Sequence, residues 1–379
     1  MKRALIAASV ASMIDQFNMP NIRLLLELGY EVDVAANFTF TGSITKERAD
    51  EVKKRLSDMG VRVLDVPIPR RILAVGDILK SYRVIKALSR EREYALMHCH
   101  SPIGGAIARF AVRRERKVGK TKSIYTAHGF HFYKGAPKKN WLIFYPVEKL
   151  CARMTDVIIT INREDYELAK RKLKAKRVEY IPGVGIDPDR FLPTEKSIMK
   201  RSEIGVPEDA KMLLSVGELN KNKNHEKVLR AIASLGRYDV HYVIAGKGAL
   251  ADELERLAVE LGIAERVHIL GYREDVAELY GAADLFVHPS YREGLPVAVI
   301  EAMAAGVPVV ASKIRGNVDL ITEEGGKLVC PCNVSGFAEA IDTVLSDKEM
   351  SEKMGAHNRE AAKRYSTEAV SELLRKLYE

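Results

Sequence analysis

Thirteen short apolar runs, most rich in β-branched residues, are spaced along this chain with helix-patterned stretches between them, and that alternation restricts its fold more than any other feature. In the first half the runs are Ala4–Val10, Glu31–Ala36, Val61–Val66, Leu96–His100, Ser123–His128, Val157–Ile161 and Val178–Ile181. In the second half they are Met212–Val216, His241–Ala245, Val267–Leu270, Leu285–His288, Val307–Ala311 and Lys327–Val329. Strands alternating with helices, such as Asp252–Leu261 and Glu339–Leu345, mean βαβ units and a mostly parallel sheet. A length of 379 residues is too great for one ordinary core. The pattern therefore predicts an α/β protein of two doubly wound domains in tandem, residues 1–183 and 188–364. A helix at about 365–379 is expected to pack back on the first. The Pro/Gly cluster Ile181-Pro182-Gly183-Val184-Gly185-Ile186-Asp187-Pro188 suits the linker between them. Ligands of open α/β sheets bind beyond the carboxyl ends of the strands, so two facing sheets would offer one substrate on each wall of a cleft.

Hydrophobic residues at 47% and charged residues at 29% match a soluble globular protein. No apolar run approaches the roughly 18 residues needed to cross a bilayer. Met1-Lys2-Arg3 followed by Ala4–Val10 reads as a first buried strand rather than a signal peptide: no convincing cleavage site follows, and the run leads straight into a turn and an amphipathic segment. A cytoplasmic location is expected. The four cysteines, Cys99, Cys151, Cys330 and Cys332, are too few for a disulfide scaffold. Neither Cys330-Pro331-Cys332 nor His98-Cys99-His100 has a second half at zinc spacing, so no metal site is expected. The net charge of +9 is uneven: residues 1–193 hold 36 Lys and Arg against 21 Asp and Glu, and the remainder is acidic on balance. The first half thus has reason to meet something anionic. Its basic residues are spread over several helices, and no zinc-finger or RNP-like motif accompanies them, which argues against nucleic acid.

Chemistry concentrates in Pro289-Ser290-Tyr291-Arg292-Glu293-Gly294-Leu295-Pro296 and the run Val297–Ala305. A strand ending at His288, a tight turn and a Pro suited to a first helical turn would aim the Gly294 and Leu295 amides out of a helix N-terminus, a ready phosphate site. Glu301 lies eight residues beyond Glu293, and eight helical residues rise about 12 Å. Two carboxylates so spaced can each hold a pair of hydroxyls at opposite ends of one nucleotide sugar. On spacing alone, a carboxylate at a helix dipole plus a solvated helical Glu explains the pattern as well.

This segment, followed by Glu-Ala-Met-Ala-Ala-Gly-Val-Pro-Val-Val-Ala-Ser, resembles the signature of the retaining family 4 glycosyltransferases. The similarity runs over almost the whole chain and is strongest with bacterial members that assemble exopolysaccharides and capsules, which share blocks like Thr126-Ala127-His128-Gly129-Phe130-His131-Phe132-Tyr133 and Val184-Gly185-Ile186-Asp187. The resemblance implies the GT-B fold, two Rossmann-like domains facing a cleft. It implies that Glu293 contacts the transferred sugar, that Glu301 holds the ribose, and that the backbone at Gly294 and Leu295 holds sugar and diphosphate. His128 corresponds to a histidine that hydrogen-bonds the donor sugar.

Upstream, Val216-Gly217-Glu218-Leu219-Asn220-Lys221-Asn222-Lys223 occupies the place where the family has Gly-Arg-Leu and then a Lys, the two cations that neutralise the diphosphate. Lys223 matches the Lys; Glu218 stands where the Arg would be, leaving Lys223, helped by Lys221, to carry that charge. Gly246-Lys247-Gly248 resembles a Gly loop near the donor, and Leu270-Gly271-Tyr272-Arg273 the segment whose backbone reads the base. Asp284 reads as structural. The turn after the first strand takes the place of the family's Gly-rich loop but lacks its glycines, and its Asp15 is a candidate acceptor-side contact. Ser101, Gly104 and Gly105 lie on another strand-to-helix turn and are candidate acceptor contacts. Asp187-Pro188-Asp189 is a D-x-D triplet in a linker rather than after a donor-binding strand, and is set aside as a metal site.

The resemblance implies retention of configuration without an enzymic nucleophile: the departing diphosphate takes the acceptor's proton, and catalysis is positioning and electrostatics. The expected donor is a UDP-sugar carrying a hexose or N-acetylhexosamine, with no metal or other cofactor. The expected acceptor is a polyprenyl-diphosphate-linked saccharide. An epimerase of the same fold and a non-catalytic nucleotide- or nucleic-acid-binding module are the alternatives. A phosphorylase would need a pyridoxal phosphate lysine, which no feature marks. Finally, apolar residues at 75, 78, 79, 82, 85 and 88 recur at helical period, and Lys134, Lys138 and Lys139 lead into Trp141-Leu142-Ile143-Phe144-Tyr145. Basic residues beside exposed aromatics predict peripheral docking on an anionic membrane, at the inner face of the cell membrane.

Overall fold

The structure, a computed structural model, describes residues 1–379 apart from the side chain of Ile198. The chain forms two compact units, Met1–Gly185 together with Thr367–Glu379, and Ile186–Ser366.

The first unit is built on seven parallel strands: β1 (Arg3–Val10), β2 (Glu31–Asn37), β3 (Arg62–Asp65), β4 (Leu96–His100), β5 (Lys122–Ala127), β6 (Val157–Thr160) and β7 (Arg177–Tyr180). Their order is β3-β2-β1-β4-β5-β6-β7. The second unit has six: β8 (Lys211–Val216), β9 (Val240–Ala245), β10 (Val267–Gly271), β11 (Leu285–His288), β12 (Val309–Ser312) and β13 (Gly326–Val329), ordered β10-β9-β8-β11-β12-β13. Both are doubly wound α/β sheets, as the alternation predicts, and every expected strand is present with its ends within two residues of the sequence reading. The central runs are continuously apolar because helices cover both faces of a parallel sheet. Along β1, successive side chains serve opposite layers: Leu5 packs with Tyr94 and Met97, and Ile6 with Leu24 and Leu25.

The helices that position functional groups are α1 (Ala11–Phe17), α2 (Lys46–Asp58), α3 (Val75–Arg92), α4 (Pro102–Ala111), α5 (Lys138–Ala152), α6 (Val297–Ala304) and α7 (Thr367–Tyr378). Helix α7 belongs to the first unit. Its Val370, Leu374, Leu377 and Tyr378 enter the same core layer as Ile6, each large apolar side chain contributing about 1.5–3 kcal/mol on burial. The Tyr30 hydroxyl donates to the Tyr378 carbonyl at 2.9 Å. Gly185 has φ +82°, and a Cβ there would stand 2.8 Å from the Thr367 Cα, so only glycine lets these two stretches pass so closely.

Each sheet reverses its winding at one place, between β1 and β4 and between β8 and β11. There the loops leaving adjacent strand ends diverge and open a crevice. The residues singled out in the sequence lie mainly on the loops that follow those four strands and β5.

Candidate functional site

In the second unit, the loop after β8 and the loop after β11 are stitched together by amides. Asn224 adopts a left-handed conformation (φ +58°) and its Nδ2 donates to the Pro289 and Pro331 carbonyls at 2.9 and 3.0 Å. Asn222 Nδ2 donates to the Arg292 carbonyl at 2.9 Å, and the Tyr291 amide to the Asn222 carbonyl at 2.8 Å. Asn220 Oδ1 accepts from the Lys223 amide at 3.1 Å and folds the tip of the β8 loop back on itself. Lys223 then passes over Gly217, where a Cβ would sit 3.1 Å from Lys223 Cε. Its ammonium ends 2.9 Å from Glu293 Oε1. The same oxygen is 3.3 Å from His288 Nε2.

Burial works against charge on Glu293, but the His288 hydrogen bond and the Lys223 charge outweigh it and hold the carboxyl well below the usual carboxylate range. Burial lowers the His288 pKa, so that ring is neutral at pH 7 and acts as a hydrogen-bond donor rather than a second cation. Glu293 is therefore a fixed anion paired with one fixed cation.

Glu293 to Pro296 are not helical. Helix α6 starts at Val297 with Pro296 (φ −76°, ψ 113°) as its cap. The sequence expectation that Pro296 lies inside the first turn, with Glu293 and Glu301 separated by eight helical residues, is corrected: half of that separation is turn. Leu295 is buried, and the Gly294 carbonyl lies 2.6 Å from where a Gly316 Cβ would be. Gly316 (φ +81°) and Arg315, whose Nε donates to the Glu293 carbonyl at 3.0 Å, brace the turn from the loop after β12. The sequence reading missed both; the available signal was an Arg-Gly pair three residues past the end of a buried strand.

Glu301, on α6, accepts a hydrogen bond from the Tyr280 hydroxyl at 2.9 Å. Burial raises its pKa, and Tyr280 and the charge of Arg190 only partly offset that. The two glutamates of one motif thus have opposite electrostatic character.

Gly246 and Gly248 serve the backbone. A Cβ on Gly246 would overlap the Gly217 carbonyl, and one on Gly248 the Leu219 carbonyl, so the loop after β9 lies flat against the loop carrying Lys223. Lys221 and Glu218 are exposed. Tyr272 is 65% exposed, with Lys247 Nζ 5.8 Å from its ring centre. The Arg273 guanidinium is engaged by Asp275 (2.7 Å) and Glu203 (2.8 Å), which leaves its backbone rather than its side chain for a ligand. Asp284 is structural, accepting from Arg201 and the Met212 amide, both at 2.7 Å.

In the first unit, His128 directly follows β5. Its Nε2 lies 3.0 Å from His100 Nδ1, and its ring rests on Phe17 with centres 5.4 Å apart. Burial pushes the His128 pKa down to about 4. His100, at the end of β4, is fully buried, and burial holds it well below the ordinary imidazole value. Two residues earlier on the same strand, His98 bridges the Tyr378 hydroxyl (2.7 Å) and Thr126 Oγ1 (2.8 Å). These rings are neutral at pH 7. The sequence reading found His128 and missed His100, its hydrogen-bond partner.

Ser101 has φ +65°, a conformation that non-glycine residues rarely adopt, and its Oγ bonds Ser9 Oγ at 2.5 Å. Gly104 faces those two hydroxyls, and a Cβ on Gly105 would stand 2.6 Å from the Tyr125 ring, so both glycines let α4 seat against the sheet. Asp15 is occupied differently: Arg48 (2.9 and 3.2 Å) and Arg55 (2.8 Å) bind its carboxylate and tie α1 to α2. Among the described residues, no group of three or more His, Cys, Asp and Glu could hold a metal ion. No helix among them is long and apolar enough to cross a membrane.

Comparison with known proteins agrees with this geometry. Residues 19–183 match the family described as glycosyl transferase 4-like domain, and residues 197–361 the family described as glycosyl transferases group 1. The Bacillus subtilis (strain 168) protein EpsD, assigned as a glycosyltransferase, is 36% identical over 100% of this chain and 96% of its own length. An Escherichia coli UDP-Gal:alpha-D-GlcNAc-diphosphoundecaprenol alpha-1,3-galactosyltransferase is 29% identical over 77% of this chain and 76% of its own. Among solved structures, Anabaena HepE in complex with UDP-glucose superposes with a TM-score of 0.80, covering 100% of this chain and 99% of that one at 18% identity, a likeness of fold. Two Rossmann-like units, the Glu293–Glu301 motif and a full-length relative at this identity together establish that the chain belongs to the family 4 glycosyltransferases of GT-B fold.

Proposed function

We propose that this glycosyltransferase transfers a hexose or N-acetylhexosamine from a UDP-sugar to a lipid-linked saccharide in cell-surface polysaccharide synthesis, with retention of configuration and without a metal. The observation that carries the reading is the Lys223–Glu293 pair, set on the two loops that leave the switch point of the second sheet. A cation and a permanently ionised carboxylate held side by side suit a ligand with a diphosphate next to a sugar. Lys223 and the amides at the start of α6 take up charge on the leaving diphosphate, and Glu293 orients the sugar through its hydroxyls. Glu301, deeper along α6, holds the ribose. Gly217 and Gly246 contribute by letting backbone come close, and Lys221 adds exposed positive charge. His128, a neutral imidazole, hydrogen-bonds the transferred sugar.

The relatives support the substrate classes: HepE is described with UDP-glucose, and the E. coli relative by its name takes UDP-galactose and a diphosphoundecaprenol acceptor. In this reading the enzyme binds the inner face of the cell membrane, where exposed aliphatic side chains of α5 lie among lysines. Thermal-shift titration with UDP, GDP, ADP and their sugars tests it. UDP should raise the melting temperature by RT ln(1 + [L]/Kd) converted through the unfolding entropy. A shift with GDP or ADP in place of UDP would overturn the donor assignment.

A further inference from the structure

The first unit contains a cavity of about 520 Å³, within the usual range for small-molecule sites. Ile72 and Leu79 line it from the α3 side, Ile103 and Ala106 from α4, and Ile143 and Val147 from α5. The helical stripe read along α3 divides here. Ile85 and Leu88 are core, whereas Leu79 is 49% exposed at the cavity's edge. Ile143 and Val147, each 46% exposed, face the same opening. The wall's one carboxylate, Glu148, is neutralised by Arg109 at 2.5 and 3.0 Å. Arg113, also in the lining, is exposed and makes only 3.5 Å contacts, to the Tyr82 hydroxyl and the Phe110 carbonyl. Lys80, Arg83, Lys138 and Lys139 are exposed on the same two helices, α3 and α5. An apolar interior with a cationic surround suits a hydrocarbon chain with an anionic head.

The loops that border the cavity say which chain. Pro102 and Ile103 follow Ser101 directly, and Gly129 to Phe132 follow His128 directly; all line the cavity. The cavity therefore backs onto the strand-to-helix turn after β4, which carries the candidate acceptor-side residues Ser101, Gly104 and Gly105, and onto the loop after β5, which begins with the sugar-binding candidate His128. A flat patch would serve for resting on a bilayer, whereas a concave, half-open cavity ending at these loops serves a single chain tethered to the substrate. We propose that the cavity holds the prenyl chain of the lipid-linked acceptor, in the stretch next to its diphosphate. The inference rests on the acceptor class of the proposed function and adds the place where the lipid is held.

The test uses the full-length protein and farnesyl diphosphate below its micelle concentration, read by the fluorescence of Trp141. That side chain is the only tryptophan, and it packs edge-on against Phe132 in the cavity wall. Saturable binding is expected, about tenfold or more weaker for geranyl diphosphate, which buries one isoprene unit fewer, and none for inorganic pyrophosphate. Ala106→Phe, which fills the cavity, should weaken farnesyl diphosphate binding about tenfold or more while leaving UDP affinity unchanged. Should that variant fail to fold, Leu79→Glu with Ile143→Glu at the exposed mouth should give the same loss. Wild-type affinity in a folded Ala106→Phe protein overturns the proposal, as does pyrophosphate competing on equal terms. So does loss of phosphatidylglycerol-vesicle binding in that variant with no farnesyl diphosphate binding by the wild type, because the cavity would then serve bilayer lipid. Failure of the wild type to bind UDP sinks the donor assignment instead, and leaves the prenyl measurement standing.

Discussion

The Lys223 ammonium lies 2.9 Å from Glu293 Oε1, so the cation assigned to a departing diphosphate and the carboxylate assigned to the sugar form one ion pair. Neither group can be altered without changing the other's surroundings. Lys223→Ala should lower kcat on the order of 100-fold, and Glu293→Gln by a similar amount, as for removal of one preorganised transition-state group. The double variant should lose less than the product of the two, because residues in contact are not additive. Steady-state kinetics on the three proteins decide; wild-type kcat/KM in both single variants would remove the pair from the mechanism.

Glu293 and Glu301 should move stability in opposite directions. The folded-state pKa of Glu293 is depressed, so its contribution is present above the unfolded carboxylate pKa and is lost as pH falls through the folded value. Glu301 is raised, so the folded state binds more protons than the unfolded one, and stability falls as pH rises through that window. At pH 7.5, Glu293→Gln should lower the melting temperature and Glu301→Gln should raise it, by about 2–4 °C per kcal/mol. At pH 4 both differences should shrink. Calorimetry at the two pH values, with shifts of the same sign for both variants at pH 7.5, would contradict the electrostatic assignment.

Kinetically, Glu301→Gln should raise the donor KM about tenfold and leave kcat within a fewfold, since a ribose contact is present equally in ground and transition states. Tyr280→Phe removes the donor 2.9 Å from Glu301 and should weaken donor binding in the same way. A drop in kcat without a change in KM would place Glu301 at the reacting centre instead.

Activity should survive EDTA, because Lys223 and the amides at the start of α6 are assigned the charge that a divalent ion would otherwise bear. The enzyme is assayed in EDTA and then with added manganese. Loss restored by manganese would return attention to Asp187 and Asp189.

Membrane docking has to be tested on different residues from those the sequence suggests. Trp141, Phe144 and Tyr145 are partly buried and packed into the core, Trp141 donating to the Tyr133 carbonyl at 3.3 Å. The exposed side chains are Leu142 (77%) and Leu150 (48%) beside Ile143 and Val147. The expectation of exposed aromatics is thus corrected to exposed aliphatics, because the rings face the sheet and the intervening residues do not. Lys138→Glu, Lys139→Glu and Leu142→Ser together should cut sedimentation with anionic vesicles at low salt about tenfold or more, since each basic residue near such a surface contributes about 1 kcal/mol. Equal recovery on neutral and anionic vesicles would favour a soluble acceptor.

The strands were legible because buried parallel strands leave unbroken apolar runs, and β8 or β11 can be read without knowing their neighbours. The site was legible only where a motif is local. Glu293, Glu301 and Lys223 could each be singled out, but their partners could not. Lys223 meets Glu293 because β8 and β11 pair across the switch point, 70 residues apart in sequence. Tyr280 and Arg315 reach the motif from separate loops and helices in the same way. Asp15 shows the converse: its position after β1 suggested a ligand contact, while Arg48 and Arg55, two helical turns apart on α2, had the prior claim on its charge.

The return of α7 to the first unit has a consequence for how the protein is made. The Tyr378 hydroxyl on His98, and the Leu374 and Leu377 side chains in the layer beside β1, arrive only after Ile186–Ser366 has been synthesised. At about 5–20 residues per second, the ribosome needs on the order of 10–40 s for that stretch. During that time the second unit is still being made, while the earlier-born first unit waits with an open groove along its oldest strands. A nascent chain of this enzyme should therefore stay a client for chaperones throughout the synthesis of its second unit, and its first-made half should become protease-resistant only once its last residues are in place.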